Sequence, residues 1–388
     1  VESGGGIMKI LVEGSPIFRT RSGVGQYLYR LFNKLMDQDP GNTYTYYGLL
    51  FVGKHFIPPY KHKNARYHLV RFFPQKIYNI LIRRFQVPPI DLLTGQKPDL
   101  VMFTNYVHPP LVYNEKSIVF VYDLSHISYE EMSDTKNAQL LRKKVPHAVN
   151  RANAVITISE YSKNDIVREY GVDPQKIHIV HPALYHHEYY PRPELQQKAV
   201  AKKFGIKGKY ILFTGTIEPR KNIERLLDAY AALPQTIRDE YTLVLAGGKG
   251  WKDQGIRTKL ENLQQKGEKI IVTGYVNDAD LPPLYSGASL FVFPTLFEGW
   301  GMPVVEAMAC GTPVVTTNNS SMPEAAGDAA IMVDAHDVKA LTDEIEHVLN
   351  DKKLAESMVK KGIKHAAQFS WEQSAKDLKK VIDQVLAK

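Results

Sequence analysis

The sequence predicts an α/β protein with two doubly wound parallel-sheet domains, and three observations carry that prediction. Short apolar, β-branched runs alternate with stretches of helical periodicity, the pattern of strand–helix–strand units. The alternation breaks at a segment rich in Pro and aromatics, "HPALYHHEYYPRPE", and restarts at "KYILFTGT". The chain of 388 residues is also longer than one core comfortably accommodates. The expected boundaries are an N-terminal domain over 8–185 and a C-terminal domain over 186–370. A last helix over 371–388 is expected to pack back on the first domain.

In the first half, "KILVEG" reads as the first strand. Val24–Gln38 reads as a helix with Leu28, Leu31, Leu35 and Met36 on one face. "DLVMFT", "SIVFVYD" and "NAVITIS" are apolar runs suited to parallel strands buried on both faces. Ser159 stands at the N-cap of an amphipathic helix that reaches Tyr170, and "KIHIV" closes the half. In the second half "KYILFTGT", "YTLVLAGG", "KIIVTGY", "SLFVFP" and "TPVVTT" are the strands, with helices between them. The final segment carries Ala375, Leu378, Ile382 and Val385 at helical spacing.

A hydrophobic fraction of 44% with 23% charged residues is that of a soluble globular chain. No apolar run approaches the roughly 18–20 residues needed to span a bilayer. "VESGGG" reads as a cloning remnant, with Met8 the expected native start and no signal peptide. The single Cys310 excludes an internal disulfide and points to a reducing, cytoplasmic location. Residues 1–185 hold 23 basic against 15 acidic side chains, while residues 186–388 are balanced at 26 each, so the net charge of +8 sits in the first half. Gly41–Ile90 contains no acid, and its Lys and Arg residues are interleaved with aromatics. Such a stretch suits nucleic acid, anionic lipid or a phosphorylated acceptor, and equally a solvated basic face.

In doubly wound sheets ligands sit outside the carboxyl ends of strands, often against helix N-termini. Gly23 and Gly25 follow the first strand and open a helix, where a backbone without side chains lets a phosphate approach; Leu28 replaces the third glycine of a dinucleotide fingerprint. Gly215 ends a strand, and Arg220, Lys221 and Asn222 then precede a helix, two cations well placed to neutralise a diphosphate. Gly274, Tyr275 and Val276 end another strand and expose backbone groups to a base. The Asp278–Asp280 pair resembles a metal motif, but Leu281 and two prolines follow, so Asp280 is read as an N-cap. In "FEGWGMPVVEAMACGTPVV" Glu298 sits in a loop and Glu306 about one turn into a helix that starts near Pro303. Carboxylates accept hydrogen bonds from hydroxyls, so this pair suits vicinal hydroxyls of a ribose or hexose. Phosphates, hydroxyls and a base together describe a nucleotide sugar.

"FEGWGMPVVEAMACGTPVV" resembles the Glu-x7-Glu signature of the retaining GT-B glycosyltransferases of family 4. "GTIEPRKN" resembles that family's donor-phosphate segment, "GYVNDADLPPLYSGASLFVFPT" its lead-in, and "ITISEYSKNDIV" the stretch that closes its N-terminal domain. The resemblance spans nearly the whole chain and is most specific from Ile211 to Glu324. It implies a GT-B fold: two Rossmann-like domains facing across a cleft. It also implies a metal-independent hexosyltransferase without cofactor, acting with retention, and mannose from a guanine nucleotide is the leading expectation. The implied roles are Arg220 and Lys221 on the donor diphosphate and Gly23 approaching it from the other domain. Glu306 would bind the ribose and the Tyr275–Val276 backbone the base. Glu298 would bind the transferred sugar, in a pocket lined by Gly299, Trp300 and Gly301. "VFVYDLSHISYEE" matches a region that places a histidine near the reacting sugar. The frequent His-Asp pair reads Tyr122-Asp123 here, and His126 is the available imidazole.

The acceptor implied is a glycan or lipid-linked saccharide. "QKIYNILIRRF" spaces Ile77, Ile80, Leu81 and Phe85 as an apolar helical face flanked by Lys76, Arg83 and Arg84. That face suits an anionic membrane or a lipid-linked diphosphate, and equally an ordinary core. Two alternatives stay open: a nucleotide-sugar epimerase of the same fold, and a nucleic-acid-binding protein using the basic stretch. A metal site built on His178, His181, His186 and His187 is disfavoured, because Pro182 breaks any helix there and no cysteine joins them.

Overall fold

The computed structural model describes residues 6–18, 23–49, 59–71, 88–113, 116–128 and 135–387. The chain divides into two compact units, Val1–Pro182 with Trp371–Lys388, and Ala183–Ser370.

The first unit holds seven described strands: β1 (Lys9–Glu13), β2 (Thr43–Leu49), β3 (Ala65–Val70), β4 (Leu100–Phe103), β5 (Ser117–Phe120), β6 (Ala154–Thr157) and β7 (Ile177–Ile179). They form a parallel sheet in the order β3-β2-β1-β4-β5-β6-β7. β4, β5 and β6 are buried along their whole length, which explains their uninterrupted apolar runs. Helix Gly23–Gln38 buries Leu28, Leu31, Leu35 and Met36. It meets helix Trp371–Ala387, which buries Ala375, Leu378, Ile382 and Val385. Lys34 Nζ pairs with Glu372 at 2.9 Å and the Tyr27 and Trp371 rings lie 5.9 Å apart, so the last helix completes the first unit's core. Each such buried Leu, Ile, Val or Met side chain is worth about 1.5–3 kcal/mol. Ser159 caps helix Glu160–Tyr170, its Oγ accepting from the Ser162 N–H at 3.1 Å.

The second unit holds β8 (Lys209–Thr214), β9 (Tyr241–Ala246), β10 (Ile270–Gly274), β11 (Leu290–Phe293), β12 (Val314–Thr317) and β13 (Ile331–Val333). Their order is β10-β9-β8-β11-β12-β13, again parallel. Each sheet therefore reverses its winding once, between β1 and β4 in the first and between β8 and β11 in the second.

Two expectations need comment. Asp280 occupies the N-cap position of Leu281–Ser286, but its carboxylate makes no capping bond. Its Oδ2 takes Lys203 Nζ at 2.6 Å, so a long-range cation wins over the local N–H groups. The expected helix carrying Lys76, Arg83 and Arg84 lies outside the described residues. Among the described residues no helix is long and apolar enough to cross a membrane.

Candidate active site

The reversal between β8 and β11 is where an open parallel sheet leaves a crevice at its carboxyl ends. β8 ends at Thr214, and Gly215 follows with φ 139°, a value open to glycine and strained for other residues. The chain then turns through Pro219–Lys221 into helix Ile223–Ala232. Asn222 sits between them at φ 60° and is buried. Its Nδ2 donates to the Pro294 and Ala335 carbonyls at 2.9 and 2.7 Å, and its Oδ1 accepts from Arg225 at 2.8 Å. The loop after β11 is stitched to the same turn, since the Leu296 N–H donates to the Arg220 carbonyl at 2.9 Å.

This stitching brings together charges 77 residues apart in sequence. Arg220 Nη1 lies 2.9 Å from Glu298 Oε1, and Lys221 Nζ donates to the same oxygen. Arg220 Nη2 is held by Glu218 Oε1 at 2.8 Å, and Nη1 also donates to the Phe297 carbonyl at 2.7 Å. Glu218 is 1% exposed and Lys221 8% exposed, so these are buried charges that need their partners. Burial alone would raise the Glu298 carboxyl, but Lys221 and Arg220 outweigh it and hold it below the usual carboxylate range. Burial, reinforced by Arg220, draws the Lys221 ammonium below its ordinary value, and Glu298 offsets part of that.

Glu298 is also positioned through its backbone. Its N–H donates to Ser320 Oγ at 3.1 Å, and its carbonyl accepts from Ser321 Oγ at 2.9 Å. Ser321 Oγ also reaches the Trp300 carbonyl. Ser320 adopts φ 48°, the left-handed region that a non-glycine residue occupies at a cost. Trp300 is 3% exposed and packs edge-on against Phe369 at 5.1 Å, so its side chain anchors the loop instead of presenting a ring to solvent. Gly299 and Gly301 are buried with it. A Cβ on Gly301, at φ 132°, would lie 2.4 Å from Met322 Cε.

A cavity of about 260 Å³ lies beside this cluster, lined by Gly215, Gly247, Gly248, Tyr275, Val276 and Glu306 among others. Gly215 links the two features, because a Cβ there would lie 3.7 Å from Lys221 Cε. The floor is glycine of necessity: a Cβ on Gly247 would fall 1.7 Å from the Gly215 carbonyl oxygen. At the cavity wall Glu306 Oε2 accepts from the Tyr285 hydroxyl at 2.8 Å, and that hydroxyl contacts Thr214 Oγ1 at 2.7 Å. Burial keeps Tyr285 a phenol, raising its pKa well above the ordinary value. Tyr275 is 74% exposed at the rim, while Val276 is buried. Of the expected donor residues, the structure thus gathers Gly215, Arg220, Lys221, Tyr275, Val276, Glu298 and Glu306 around one carboxyl-end crevice. A larger cavity of about 790 Å³, lined by Arg151, Lys176 and His178, lies at the amino ends of β6 and β7, the wrong end of a parallel sheet for a ligand crevice.

Gly23 and His126 belong to the first unit. Gly23 is the exposed first residue of its helix, and a Cβ there would meet nothing within 4 Å. His126 lies in the short helix Ser125–Ser128 and is 4% exposed, and its Nε2 has no hydrogen-bond partner among the described residues. Burial lowers its pKa; Asp123 opposes this and Arg142 adds to it, so the neutral imidazole is favoured.

The Glycosyltransferase Family 4 model matches residues 21–186, and the Glycosyl transferases group 1 model matches residues 196–365. O-antigen chain mannosyltransferase B of Escherichia coli is 32% identical over 374 residues, covering 94% of this chain and 97% of that protein. The chain belongs to the group 1, family 4 glycosyltransferases. Solved structures share the fold of this glycosyltransferase. Sucrose-phosphate synthase from Thermosynechococcus elongatus superposes with a TM-score of 0.73 at 20% identity, covering 98% of this chain and 99% of that one. Anabaena HepE in complex with UDP-glucose gives 0.69 at 16% identity, covering 97% and 100%. The fold is therefore GT-B.

Sequence reading of the glycosyltransferase missed Glu218, Tyr285, Ser320 and Ser321. "NNSSMPE" reads as an ordinary polar turn, and only the fold places its hydroxyls on the Glu298 backbone. Among the described residues no group of three or more His, Cys, Asp or Glu side chains is placed to hold a metal ion.

Proposed function

We propose that this glycosyltransferase moves a mannosyl residue from a nucleoside-diphosphate mannose to a hydroxyl of a growing saccharide, with retention of configuration and without metal. The observation that carries the reading is the Arg220–Lys221–Glu298 cluster at the β8/β11 reversal, beside a glycine-lined cavity that ends on Glu306. Before donor arrives, Glu298 supplies the counter-charge that two buried cations require. The donor diphosphate takes over part of that role, and as the glycosidic bond breaks Arg220 and Lys221 stabilise the charge growing on the leaving oxygen. Glu298 then accepts hydrogen bonds from hydroxyls of the transferred sugar. Glu306 accepts from the ribose, and Tyr275 with Val276 meets the base. With both charges of the diphosphate answered by protein cations, a divalent ion has no task to perform in this scheme. The acceptor hydroxyl attacks from the face the diphosphate leaves, and a departing phosphate oxygen takes its proton.

The choice of mannose, and of a polysaccharide as product, is supported by the mannosyltransferase relative covered over 97% of its length. A nucleotide-sugar donor is supported by the HepE complex with UDP-glucose. The test is incubation with GDP-mannose and mannotriose in EDTA, with the product's new anomeric signal read by NMR. An α-mannoside supports the proposal. A β-mannoside refutes retention, and an epimerised donor without transfer refutes the reading as a transferase. The Lys76, Arg83 and Arg84 stretch is the proposed contact with an anionic membrane at the cytoplasmic face, reached by a lipid-linked acceptor. Binding to phosphatidylglycerol vesicles that survives neutralisation of Arg83 and Arg84 would remove that contact.

A further inference from the structure

The first unit has a sheet reversal of its own, and a carboxyl group stands on it. Glu13 is the last residue of β1, and Thr104 follows the last residue of β4, the strand beside it. The Thr104 N–H donates to Glu13 Oε2 at 3.1 Å, and Thr104 Oγ1 donates to the Glu13 carbonyl at 2.8 Å. The side chain is thereby tied, half-buried, at the carboxyl end of the sheet, where open α/β sheets receive ligands.

Among the described residues Glu13 makes no ion pair. The groups facing it are its register partner Tyr47 on β2, the N–H groups of Thr104 and Asn105 after β4, and Tyr122 after β5. Burial pushes its carboxyl up to about 7 from 4.5, although the two N–H groups draw it down. A glutamine would keep the shape and the Thr104 contact without an ionisable group to bury. An acid held at such a cost in a crevice marks a working residue.

Buried Tyr122 stands beside it and leads to further rings. The Tyr122 hydroxyl donates to the Thr104 carbonyl at 2.6 Å, and its ring meets Tyr106 edge-on at 5.4 Å. Tyr106 in turn lies 6.2 Å from the His126 ring. Tyr106 is held at φ 62°, a strained conformation for a bulky residue that persists where its surroundings enforce it. His126 adds a buried Nε2 without a hydrogen-bond partner among the described residues. A buried polar atom left open in this way calls for a partner, and a saccharide hydroxyl can supply one. A carboxylate, an imidazole and an aromatic ring match a pyranose, which offers hydroxyls at its rim and an apolar face.

We propose that Glu13 is a substrate-binding residue that accepts a hydrogen bond from a hydroxyl of the acceptor saccharide, with His126 and Tyr106 forming the rest of its subsite. The proposal rests on the glycosyl-transfer reading. Its test is calorimetric titration of mannotriose into wild type, Glu13→Gln and Glu13→Ala, at about pH 6 and about pH 8. GDP, UDP, ADP and dTDP are titrated into each protein in parallel. Loss of one charge-assisted hydrogen bond is expected to weaken mannotriose binding about ten- to a hundredfold in Glu13→Gln at the higher pH. Wild type is expected to bind more tightly at the higher pH, as the carboxylate ionises, and Glu13→Gln to show no such change. Both proteins carry His126, so its titration acts on both alike, and the difference between wild type and Glu13→Gln reports Glu13 alone. Equal mannotriose binding by wild type and Glu13→Gln, or none by wild type, with nucleotide binding intact, overturns the role of Glu13 alone. Wild type that binds none of the nucleoside diphosphates overturns the donor-site reading, and this proposal with it.

Discussion

Replacing Lys221 with methionine separates the chemistry of the cluster from its packing. The ammonium lies 5.0 Å over the Phe293 ring and on the Glu298 carboxylate, and the residue is 8% exposed. Methionine keeps the apolar stem, so the packing part of the side chain is largely preserved. Breaking a buried ion pair usually costs about 3–5 kcal/mol, because it strands a charge. Glu298 is not stranded here, since Arg220 stays 2.9 Å away, so a loss of about 1–2 kcal/mol is expected. Catalysis should fall further, because the lost contact grows with charge on the leaving diphosphate. One such charge-assisted bond is worth about 1.5–3 kcal/mol, or about ten- to a hundredfold in kcat/KM. The pH dependence has a definite sign. Glu298 titrates below its unfolded value, so its contribution is present above the unfolded value and is lost as pH falls through the folded one. With one cation removed that carboxyl moves back up, and Lys221→Met should lose less stability on acidification than wild type. Urea unfolding across pH and initial-rate kinetics at neutral pH check both halves. A folded variant with wild-type kcat/KM would refute the catalytic role, and a variant that fails to fold would refute the claim that Arg220 suffices for Glu298.

Three further outcomes are expected. Gly247→Ala should destabilise the second unit by about 1–3 kcal/mol or more and abolish nucleotide binding, because its Cβ meets the Gly215 carbonyl oxygen and the backbone must shift; urea unfolding with nucleotide titration measures both. Ser321→Ala should cost about 1–3 kcal/mol by depriving the buried Glu298 and Trp300 carbonyls of a donor, with kcat falling through displacement of Glu298; unchanged kcat would show that the hydroxyl is not needed to place Glu298. Glu13→Gln should gain stability over wild type as pH rises. The folded-state value of about 7 stands above the ordinary value of 4.5, so the cost of Glu13 is absent below the latter, builds between the two and is complete above the former. At 1.36 kcal/mol per unit that is at most about 3 kcal/mol, and a stability difference constant across pH would contradict the assignment.

Much of this fold lies open in the residue order. β4, β5 and β6 are apolar throughout because each is buried from end to end, and the run length marks them without any alignment. Ser159 caps its helix because the N–H it satisfies is three residues away, a local fact. Asp280 shows the limit of such local rules, since Lys203, 77 residues distant, claims its carboxylate. The pairing of Arg220 with Glu298 is equally remote, created only when β8 and β11 become neighbours. Proximity of cations to a strand end suggests a diphosphate, whereas Ser320 and Ser321 give no local sign that they hold a glutamate backbone. Glu13 reads as the unremarkable end of a strand until β4 brings Thr104 alongside and burial changes its titration. The membrane-facing role expected of Lys76, Arg83 and Arg84 falls outside the described residues.

The central claim is that the β8/β11 crevice of the second unit holds the donor's nucleoside diphosphate between the Arg220–Lys221 pair and Glu306. Calorimetric titration of GDP, UDP, ADP and dTDP in EDTA, into wild type, Lys221→Met and Glu306→Gln, tests it most directly. The account predicts that at least one nucleoside diphosphate binds wild type without metal, and that each substitution weakens it about tenfold or more. Binding that neither substitution changes, or none to the wild type, would contradict it.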